Sequence, residues 1–393
     1  MDHLKEKALS LHQTLNGKIE IRNKMDISSL EQLSLLYTPG VAEPCLKIKE
    51  NVQAVYDYTW KGNTVAVISN GTAVLGLGDI GPEAGLPVME GKAMLFKAFS
   101  GLNAIPLVIN TNDPEEVIRF CQMVAPTFGG INLEDIKAPE CVYIENELKK
   151  TLNIPVFHDD QHGTAIVVLA GLLNAYRLLG KDLKDAKIVV SGTGSAGSSI
   201  IRMLYTYGVR NIYAINQEGI VLPSQASSYD SVVQELCDYL SSPTDEMSLT
   251  DLLDGANVFI GVSAADLLDK EDIKKMSKDS VIFALANPNP EISYADAKEA
   301  GARIVGTGRS DSPNQVNNVL AFPGIFKGAL SVRATTINEE MKIAAAHGIA
   351  SLIKDEDLTE ENIIPSALDE RVSEKVAMVV AQKAVETNVA EVY

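Results

Sequence analysis

The stretch Lys187-Ile188-Val189-Val190-Ser191-Gly192-Thr193-Gly194-Ser195-Ala196-Gly197 decides the fold of the C-terminal half of this chain. It begins as an apolar strand, continues with three glycines at the spacing of a dinucleotide-binding turn, and leads into a helical segment, Ser198 to Tyr207. A Gly-rich turn alone is a weak signal, but a strand before it and a helix after it are the context that the motif requires. We therefore expect a dinucleotide cofactor at the helix N-terminus, cradled by Gly192, Gly194, Ser195, Ala196 and Gly197.

Further strand signals alternate with helical stretches around this motif. They are Asn211 to Ile215, Val258 to Val262, Val281 to Leu285 and Arg303 to Val305. Such alternation is typical of a doubly wound parallel sheet, so the sequence predicts a Rossmann-like α/β domain. Beyond Phe322-Pro323-Gly324 the chain is Ala-rich and helical, and we expect these helices to pack against the sheet and to help form an oligomer.

The 393 residues exceed the usual size of one hydrophobic core, so two domains are expected, 1–160 and 161–393. The first contains strand-like runs at Thr64 to Ile68 and Ile105 to Ile109, with helical patterns such as Glu90 to Ser100, and is also predicted to be α/β. An apolar helix from Gly163 to Leu179 is expected to join the two domains.

Composition restricts the partners of this chain. A formal net charge of −18 disfavours nucleic acid and anionic membranes, whose phosphates demand clustered Lys and Arg. The four cysteines lack the spacing of a zinc site or a disulfide framework, and the N-terminus lacks the apolar core of a signal peptide. No apolar run is expected to approach the length that spans a membrane. The sequence therefore favours a cytoplasmic protein that binds small molecules, with positive charge for an anionic substrate placed locally.

Two pairs of carboxylates point to a metal site. Glu134-Asp135 follows Asn132-Leu133, and Asp159-Asp160 lies between the apolar run Ile154 to Phe157 and a helix. Their oxygen atoms are the hard ligands that Mg²⁺ or Mn²⁺ requires. Acidic pairs usually lie on solvated surfaces, but carboxylates at the end of a strand are more often functional. His158 and His162 are expected to orient neighbours or to pack rather than to bind a softer metal.

Other candidates are weaker on the residues alone. Without further context, Tyr37 is expected to be an ordinary buried aromatic residue and Lys92 a solvated surface lysine. Asn287 and Asn318 fall near predicted sheet ends, where α/β proteins bind ligands. Asn216 stands where NAD-binding proteins usually carry an acidic residue for the ribose. Glu218 and the lack of a nearby Arg or Lys serve a 2′-phosphate poorly, so NAD is favoured over NADP.

Taken in order, the motifs resemble those of the malic enzymes, and the resemblance runs over most of the chain. They are Tyr37-Thr38-Pro39-Gly40-Val41-Ala42, Gly76-Leu77-Gly78-Asp79, Glu90-Gly91-Lys92, Glu134-Asp135, His158-Asp159-Asp160-Gln161-His162-Gly163-Thr164, the Gly192 turn and Gln315-Val316-Asn317-Asn318. The chain is similar to the short bacterial form. One departure is Ala73, which stands where larger animal-type members carry a substrate-binding arginine.

The resemblance implies oxidative decarboxylation of malate to pyruvate through oxaloacetate, with NAD or NADP and Mg²⁺ or Mn²⁺, by a homodimer. It implies the metal ligands Glu134, Asp135 and Asp160, with Asp159 beside the lysine. Lys92, its pKa lowered by burial and a dication, would take the hydroxyl proton, and Tyr37 would give a proton to C3. Asn287 and Asn318 would contact substrate and nicotinamide.

Three rival interpretations remain open from the sequence. A soluble oxaloacetate decarboxylase on the same scaffold would use the metal, Lys92 and Tyr37 without hydride transfer, and Asn216 gives it some support. A metal-free hydroxy-acid or amino-acid dehydrogenase is disfavoured by the paired acidic motifs. A catalytically silent nucleotide-binding protein is disfavoured because all of the proposed catalytic residues are present.

Overall fold

The structure, a computed structural model, describes residues 2–74, 76–243 and 247–392 and contains two sheets. The strands are β1 (Thr64–Ser69), β2 (Asn103–Val108), β3 (Gly130–Leu133), β4 (Val156–His158), β5 (Lys187–Ser191), β6 (Asn211–Asn216), β7 (Gly219–Ile220), β8 (Val258–Gly261), β9 (Val281–Ala284) and β10 (Ile304–Thr307). The α-helices are α1 (Asp2–Leu15), α2 (Leu30–Leu36), α3 (Ala42–Glu50), α4 (Val55–Tyr58), α5 (Pro82–Ser100), α6 (Pro114–Val124), α7 (Glu140–Thr151), α8 (Asp159–Leu179), α9 (Ser195–Tyr207), α10 (Ser231–Leu236), α11 (Leu249–Leu253), α12 (Lys270–Lys275), α13 (Tyr294–Glu299), α14 (Phe322–Ser331), α15 (Glu339–Ala350) and α16 (Arg371–Glu386).

The N-terminal sheet is parallel throughout, in the order β2-β1-β3-β4. The strand β3 is not among the strands that the sequence predicted. Its four residues are too short and too mixed for a periodicity signal, yet all are buried between β1 and β4. Leu133 pairs with His158, so the residues that follow the two strands emerge side by side.

The C-terminal sheet has the order β10-β9-β8-β5-β6-β7, with the short β7 antiparallel and the others parallel. This is a doubly wound order: successive strands are added on one side of β5 as far as β7, and then on its other side from β8 to β10. It confirms the predicted Rossmann-like domain. Ligands of such sheets bind outside the carboxyl ends of the strands, at the switch point. Ser191 at the end of β5 pairs with Ile215 on one side and Gly261 on the other, so the Gly-rich turn lies at this point.

Two glycines make the turn after β5 possible. Gly192 has φ of +106°, a region that residues with a side chain rarely adopt. At position 197 a Cβ atom would lie 1.8 Å from the carbonyl oxygen of Gly192, so only glycine lets α9 begin this close to the strand. The dinucleotide-type turn is therefore required by the packing of β5 against α9.

The last helices of the chain extend beyond the C-terminal sheet. Phe322 and Phe326 of α14 pack on Phe96 of α5, with ring centroids 4.8 and 5.4 Å apart, and Phe326 also meets Phe157 of β4 at 5.9 Å. The expectation that these helices pack on the C-terminal sheet was incomplete, because the chain returns after β10 to cover the N-terminal sheet as well.

The helix α8 connects the two sheets and is buried along most of its length. By length and composition it could cross a membrane, so the expectation that no apolar run reaches that length was wrong. However, 72% of its most apolar window is buried inside the protein, which is the usual environment of a core helix.

An N-terminal segment, residues 26–50, contrasts with this core. Its two helices, α2 and α3, contain no buried residue. Large apolar side chains of the segment are exposed, namely Ile27, Leu30, Leu33, Leu35, Leu36, Tyr37, Val41 and Leu46. Each hydrogen bond found for it in the described chain joins residues no more than six positions apart. The segment thus presents an apolar surface that the rest of its own chain does not cover.

Candidate active site

The two acidic pairs predicted from the sequence meet at the carboxyl end of the N-terminal sheet. Glu134 and Asp135 follow β3, and Asp159 and Asp160 follow β4, which pairs with β3. Carboxylate oxygens of Glu134, Asp135 and Asp160 all lie within 4.8 Å of one another. The structure therefore brings together the three residues expected to bind metal.

The backbone holds this cluster in place. Asp135 adopts a left-handed conformation with φ of +52°, and its N–H donates to Oδ2 of Asp160 at 2.8 Å. Its carbonyl oxygen accepts the N–H of Ala73 at 3.0 Å. Ala73 thus contributes a backbone contact to the acidic turn where larger relatives were expected to place an arginine, and its methyl side chain can neutralise no carboxylate.

The donor set fits a hard divalent cation, because its three members offer only carboxylate oxygens. Burial raises the pKa of Asp160 to about 6, with the Lys92 ammonium opposing this shift and the Asp159 charge adding to it. Burial also raises the pKa of Glu134, again against the effect of Lys92. Carboxylates that ionise reluctantly side by side are the groups whose charge a bound dication would balance.

Lys92 lies beside the cluster and is only 7% exposed, so the alternative interpretation of Lys92 as a solvated surface lysine is wrong. Its Nζ is 2.5 Å from Oδ2 of Asp159 and 2.9 Å from Oε1 of Glu134. The ammonium also lies 4.1 Å from the ring centroid of Phe322, whose π face favours a cation. The α5 helix thus carries Lys92 directly into the acidic site.

The pKa of Lys92 differs from the expectation that it is lowered. Burial is the largest single influence and does lower this pKa, but the charges of Asp159, Glu134 and Asp160 together raise it above its ordinary value. Lys92 is therefore an ammonium in the protein alone. The expected lowering of the Lys92 pKa did not take account of the carboxylates that contact the lysine. It also assumed a bound dication, whose positive charge would offset the effect of those carboxylates on the pKa.

The two predicted asparagines lie on loops that face this cluster from the C-terminal domain. Asn318 donates from Nδ2 to Oδ2 of Asp159 at 2.5 Å. Asn287 follows β9, and a Cβ atom at Gly76 would lie 2.7 Å from its carbonyl oxygen. The Gly-Leu-Gly-Asp loop of the N-terminal domain therefore packs against the Asn287 loop, and the acidic cluster lies in the cleft between the domains.

The predicted dinucleotide residues occupy the expected positions in the second domain. Ser195 begins α9, and its Oγ lies 3.2 Å from the Sγ of Cys141 in α7. Asn216 ends β6, where its Oδ1 accepts the backbone N–H of Glu218 at 2.9 Å. This bond stabilises the turn after β6.

Tyr37 is the one predicted catalytic residue that the structure does not bring to the cluster. It lies at the end of α2 in the N-terminal segment, and its side chain is 65% exposed. The alternative interpretation of Tyr37 as an ordinary buried aromatic residue is therefore wrong as well. In the described part of the chain, no hydrogen bond connects its hydroxyl to Lys92 or to the carboxylates.

Several buried polar residues near the site have partners that the sequence did not reveal. Asn132 donates from Nδ2 to Oε2 of Glu134 at 2.8 Å, and Glu291 accepts the N–H groups of Ser263 and Ala286 at 3.0 and 3.1 Å. Burial lowers the pKa of His162 to about 4, so its ring is neutral. The position of Asn132 two residues before Glu134 was an available signal, whereas the long-range partners of His162 were not.

Comparison with known proteins identifies both halves of the chain. Residues 16–115 match the family described as "Malic enzyme, N-terminal domain", and residues 161–385 match "Malic enzyme, NAD binding domain". The chain is 55% identical over 389 residues to the bifunctional malic/malolactic enzyme of Bacillus subtilis, covering 99% of this chain and 95% of that protein. It is 51% identical over 377 residues to the NAD-dependent malic enzyme of Geobacillus stearothermophilus, covering 96% of this chain and 78% of the relative.

Solved structures share the fold over nearly the whole chain. The malic enzyme of Pyrococcus horikoshii superimposes with a TM-score of 0.94 at 46% identity, covering 99% of this chain and 92% of that one. The malic enzyme of Entamoeba histolytica gives a TM-score of 0.95 at 39% identity, covering 99% and 83%. The architecture described above is thus that of these proteins in both domains.

Proposed function

This chain belongs to the malic enzyme family and catalyses the oxidative decarboxylation of malate with NAD or NADP, and we propose that Lys92 is the residue around which this chemistry takes place. The observation that carries the proposal is the position of its Nζ, between Asp159 and Glu134 and beside the acidic cluster. A base, its proton acceptor and a set of hard ligands thus occur within one buried site.

We assign the divalent cation, Mg²⁺ or Mn²⁺, to Glu134, Asp135 and Asp160. When bound there, the cation would supply electrostatic stabilisation of the negative charge that develops on the C2 oxygen of the substrate, and it would offset the carboxylates that keep Lys92 protonated. The anionic substrate would otherwise face a site that is mainly acidic. Metal dependence follows from this balance of charge.

Lys92 exchanges a proton with the C2 oxygen in this proposal. Asp159, whose pKa burial raises to about 7 against the opposing charge of Lys92, lies 2.5 Å from the ammonium and can take its proton. The neutral amine then accepts the hydroxyl proton as the C2 hydride leaves for the nicotinamide. After loss of CO₂ from the β-carboxylate, the same ammonium can give its proton to the C2 oxygen of the enolate to form the enol, and the resulting amine can take that proton back when C3 is protonated to give pyruvate.

The asparagines and the Gly-rich turn position the reactants. Asn318 is fixed by its bond to Asp159, and Asn287 lies in the segment that follows β9. Both offer amide N–H groups to the substrate carboxylate or the nicotinamide carboxamide. Gly194 to Gly197 would hold the pyrophosphate at the N-terminus of α9. With Glu218 beside Asn216, and the Glu218 carboxylate unsuited to a 2′-phosphate, NAD is the preferred coenzyme.

Tyr37 would protonate C3 of the enol as Lys92 takes the proton from the C2 oxygen. Because Tyr37 is exposed on its own chain, it can act only if it reaches an active site through an interface. We propose a homodimer in which the apolar N-terminal segment 26–50 covers the partner subunit and carries Tyr37 into the partner's cleft. The proposal is supported by the exposed apolar side chains of the segment and by its purely local hydrogen bonds.

A cytoplasmic location accords with the absence of a disulfide among the four cysteines, three of them buried.

The experiment that tests the function is nicotinamide reduction by the purified protein with L-malate and Mn²⁺, run with NAD and with NADP and repeated with a chelator. We expect pyruvate and reduced coenzyme, both abolished by chelation. Oxaloacetate decarboxylation without malate oxidation would instead support the decarboxylase. Because the Bacillus subtilis relative is named a malic/malolactic enzyme, lactate is measured in the same reactions, and lactate without net coenzyme reduction would show the second activity.

A further inference from the structure

A buried hydrogen-bond network surrounds the imidazole of His162, which has no part in the mechanism above. Its Nε2 lies 2.8 Å from Oε2 of Glu145, and its Nδ1 lies 2.9 Å from Oγ of Ser199 and 3.0 Å from Nζ of Lys342. All four side chains are buried. They come from α7, α8, α9 and α15, so one ring connects four helices of the two domains.

The partners define which nitrogen of His162 carries the proton. The Glu145 carboxylate accepts the backbone N–H of His158 at 3.0 Å and the Lys149 ammonium at 2.9 Å, as an ionised carboxylate does. It can only accept from Nε2, so Nε2 carries the hydrogen. Nδ1 is then the acceptor, and it receives the Ser199 hydroxyl or the Lys342 ammonium, which also binds Glu339 at 2.6 Å.

The Nε2 side of the ring supports the acidic turn. Glu145 binds the N–H of His158 directly before Asp159, and it binds the ring of His162 directly after Gln161. The first turn of α8, which carries Asp159 and Asp160, is therefore held at both ends by a single carboxylate from α7. Partners of this kind fix the orientation of ligands that they do not themselves replace.

The Nδ1 side of the ring supports the dinucleotide turn. Ser199 lies on α9, four residues after Ser195 and two after Gly197, and its hydroxyl faces His162 rather than the turn. The hydrogen bond therefore fixes the first turns of α9 relative to α8. A shift of α9 along this contact would move the backbone N–H groups that bind the pyrophosphate.

We propose that His162 is a positioning residue for both ligands and that its two nitrogens serve different sites. The bond from Nε2 to Glu145 supports the divalent-cation site, and the bond from Ser199 to Nδ1 supports the dinucleotide site. The proposal rests on the proposed function for the identity of these two ligands. It assigns no contact with substrate to His162.

Two substitutions at position 162 separate the two bonds. In H162Q the longer amide places its NH₂ group where Nε2 was and keeps the donor to Glu145, while in H162N the shorter amide places its oxygen where Nδ1 was and keeps the acceptor for Ser199. Calorimetry then measures binding of Mn²⁺ without coenzyme and binding of NAD without metal. Neither measurement depends on turnover, so an inactive variant is as informative as an active one.

We expect opposite losses in the two variants. H162N weakens Mn²⁺ binding by about tenfold or more, as loss of a ligand-orienting partner does, and leaves NAD binding at the wild-type value. H162Q weakens NAD binding by about threefold to tenfold, the effect of one lost hydrogen bond, and leaves Mn²⁺ binding at the wild-type value. Equal losses of both ligands in both variants, or no loss in either, would overturn the proposal.

A second pair of variants covers the case in which position 162 tolerates no substitution. S199A removes only the hydroxyl and should weaken NAD binding but not Mn²⁺ binding, whereas T206A, on the exposed side of the same helix, should weaken neither. Wild-type NAD affinity in S199A would overturn the dinucleotide half. If the unsubstituted protein binds no Mn²⁺, the proposed metal site is wrong. If the unsubstituted protein binds Mn²⁺ and H162N binds it equally well, the metal site stands and only the role of His162 is overturned.

Discussion

Lys92 Nζ and Asp159 Oδ2 lie 2.5 Å apart although the residues are 67 positions apart in the chain. The same carboxylate oxygen accepts the amide of Asn318, also at 2.5 Å, from the far domain. Asp159 is fully buried, so it holds the lysine and the asparagine in fixed relation without competing water. The proposed base, Lys92, and a proposed substrate contact, Asn318, are therefore positioned by one side chain at the start of α8.

Replacing Lys92 by methionine should abolish most of the turnover. The variant retains much of the length of the stem but has no group to exchange a proton with the C2 oxygen, so kcat for malate oxidation should fall by about 10²-fold to 10⁴-fold. NAD affinity, measured by fluorescence, serves as the control and should not change because the dinucleotide turn does not contact Lys92. A variant that kept its kcat would exclude Lys92 as the base.

Metal binding should weaken in acid. Burial raises the pKa of Asp160 to about 6, so this carboxylate becomes protonated as the pH falls through that value, and a protonated carboxyl is a poor ligand. We expect Mn²⁺ affinity, measured by calorimetry, to be highest above pH 7 and to decline steadily towards pH 5. D160N should bind weakly at every pH and lose this slope. The same steep decline in D160N would assign the titration to another group.

Coenzyme choice should respond to the turn after β6. Glu218 places a carboxylate next to Asn216, and its negative charge opposes the 2′-phosphate of NADP. E218R should therefore raise the kcat/KM with NADP relative to NAD, mainly through KM for NADP. E218Q is the matched control and should give a smaller change in the same direction, because it removes the negative charge without adding a positive one. An unchanged ratio in E218R would place coenzyme selection elsewhere.

The sequence predicted those parts of the fold that have strong local signals. The strand before Gly192 and the glycines after it are consecutive in the chain, and the structure contains the strand, turn and helix that they predict. The β3 strand was not predicted because its four buried residues show no alternation of polar and apolar side chains, and only their pairing with β1 and β4 makes them a strand. The acidic residues at its end, Glu134 and Asp135, were nevertheless recognisable as one of two carboxylate pairs.

The electrostatics of the site could not be predicted in the same way. Whether Lys92 is charged depends on Asp159 and Glu134, which are distant in sequence and adjacent only in the folded chain. The network of His162 likewise depends on Lys342, 180 positions away. Motif recognition names such residues but does not give their partners, and the partners decide the sign of a pKa shift.

The exposed position of Tyr37 leads to a complementation experiment. Y37F removes the proposed proton donor and K92M removes the base, so each homodimer should lose about 10²-fold to 10⁴-fold in kcat. The two chains are co-expressed with different tags and the heterodimer is isolated. If Tyr37 enters the cleft of the partner subunit, one of the two sites combines an intact lysine with an intact tyrosine, and the heterodimer should recover about half of the wild-type kcat.

A dimer of two K92M chains that differ only in their tags is the matched control and should stay inactive. If Tyr37 instead served the site of its own chain, every site in the Y37F–K92M heterodimer would lack one of the two groups, and kcat would stay at the level of the single variants. The distinction depends on the N-terminal segment alone, because Lys92, Asp159 and the metal carboxylates all come from one chain. Recovery of activity would therefore show that the apolar surface of residues 26–50 completes a site in the partner subunit.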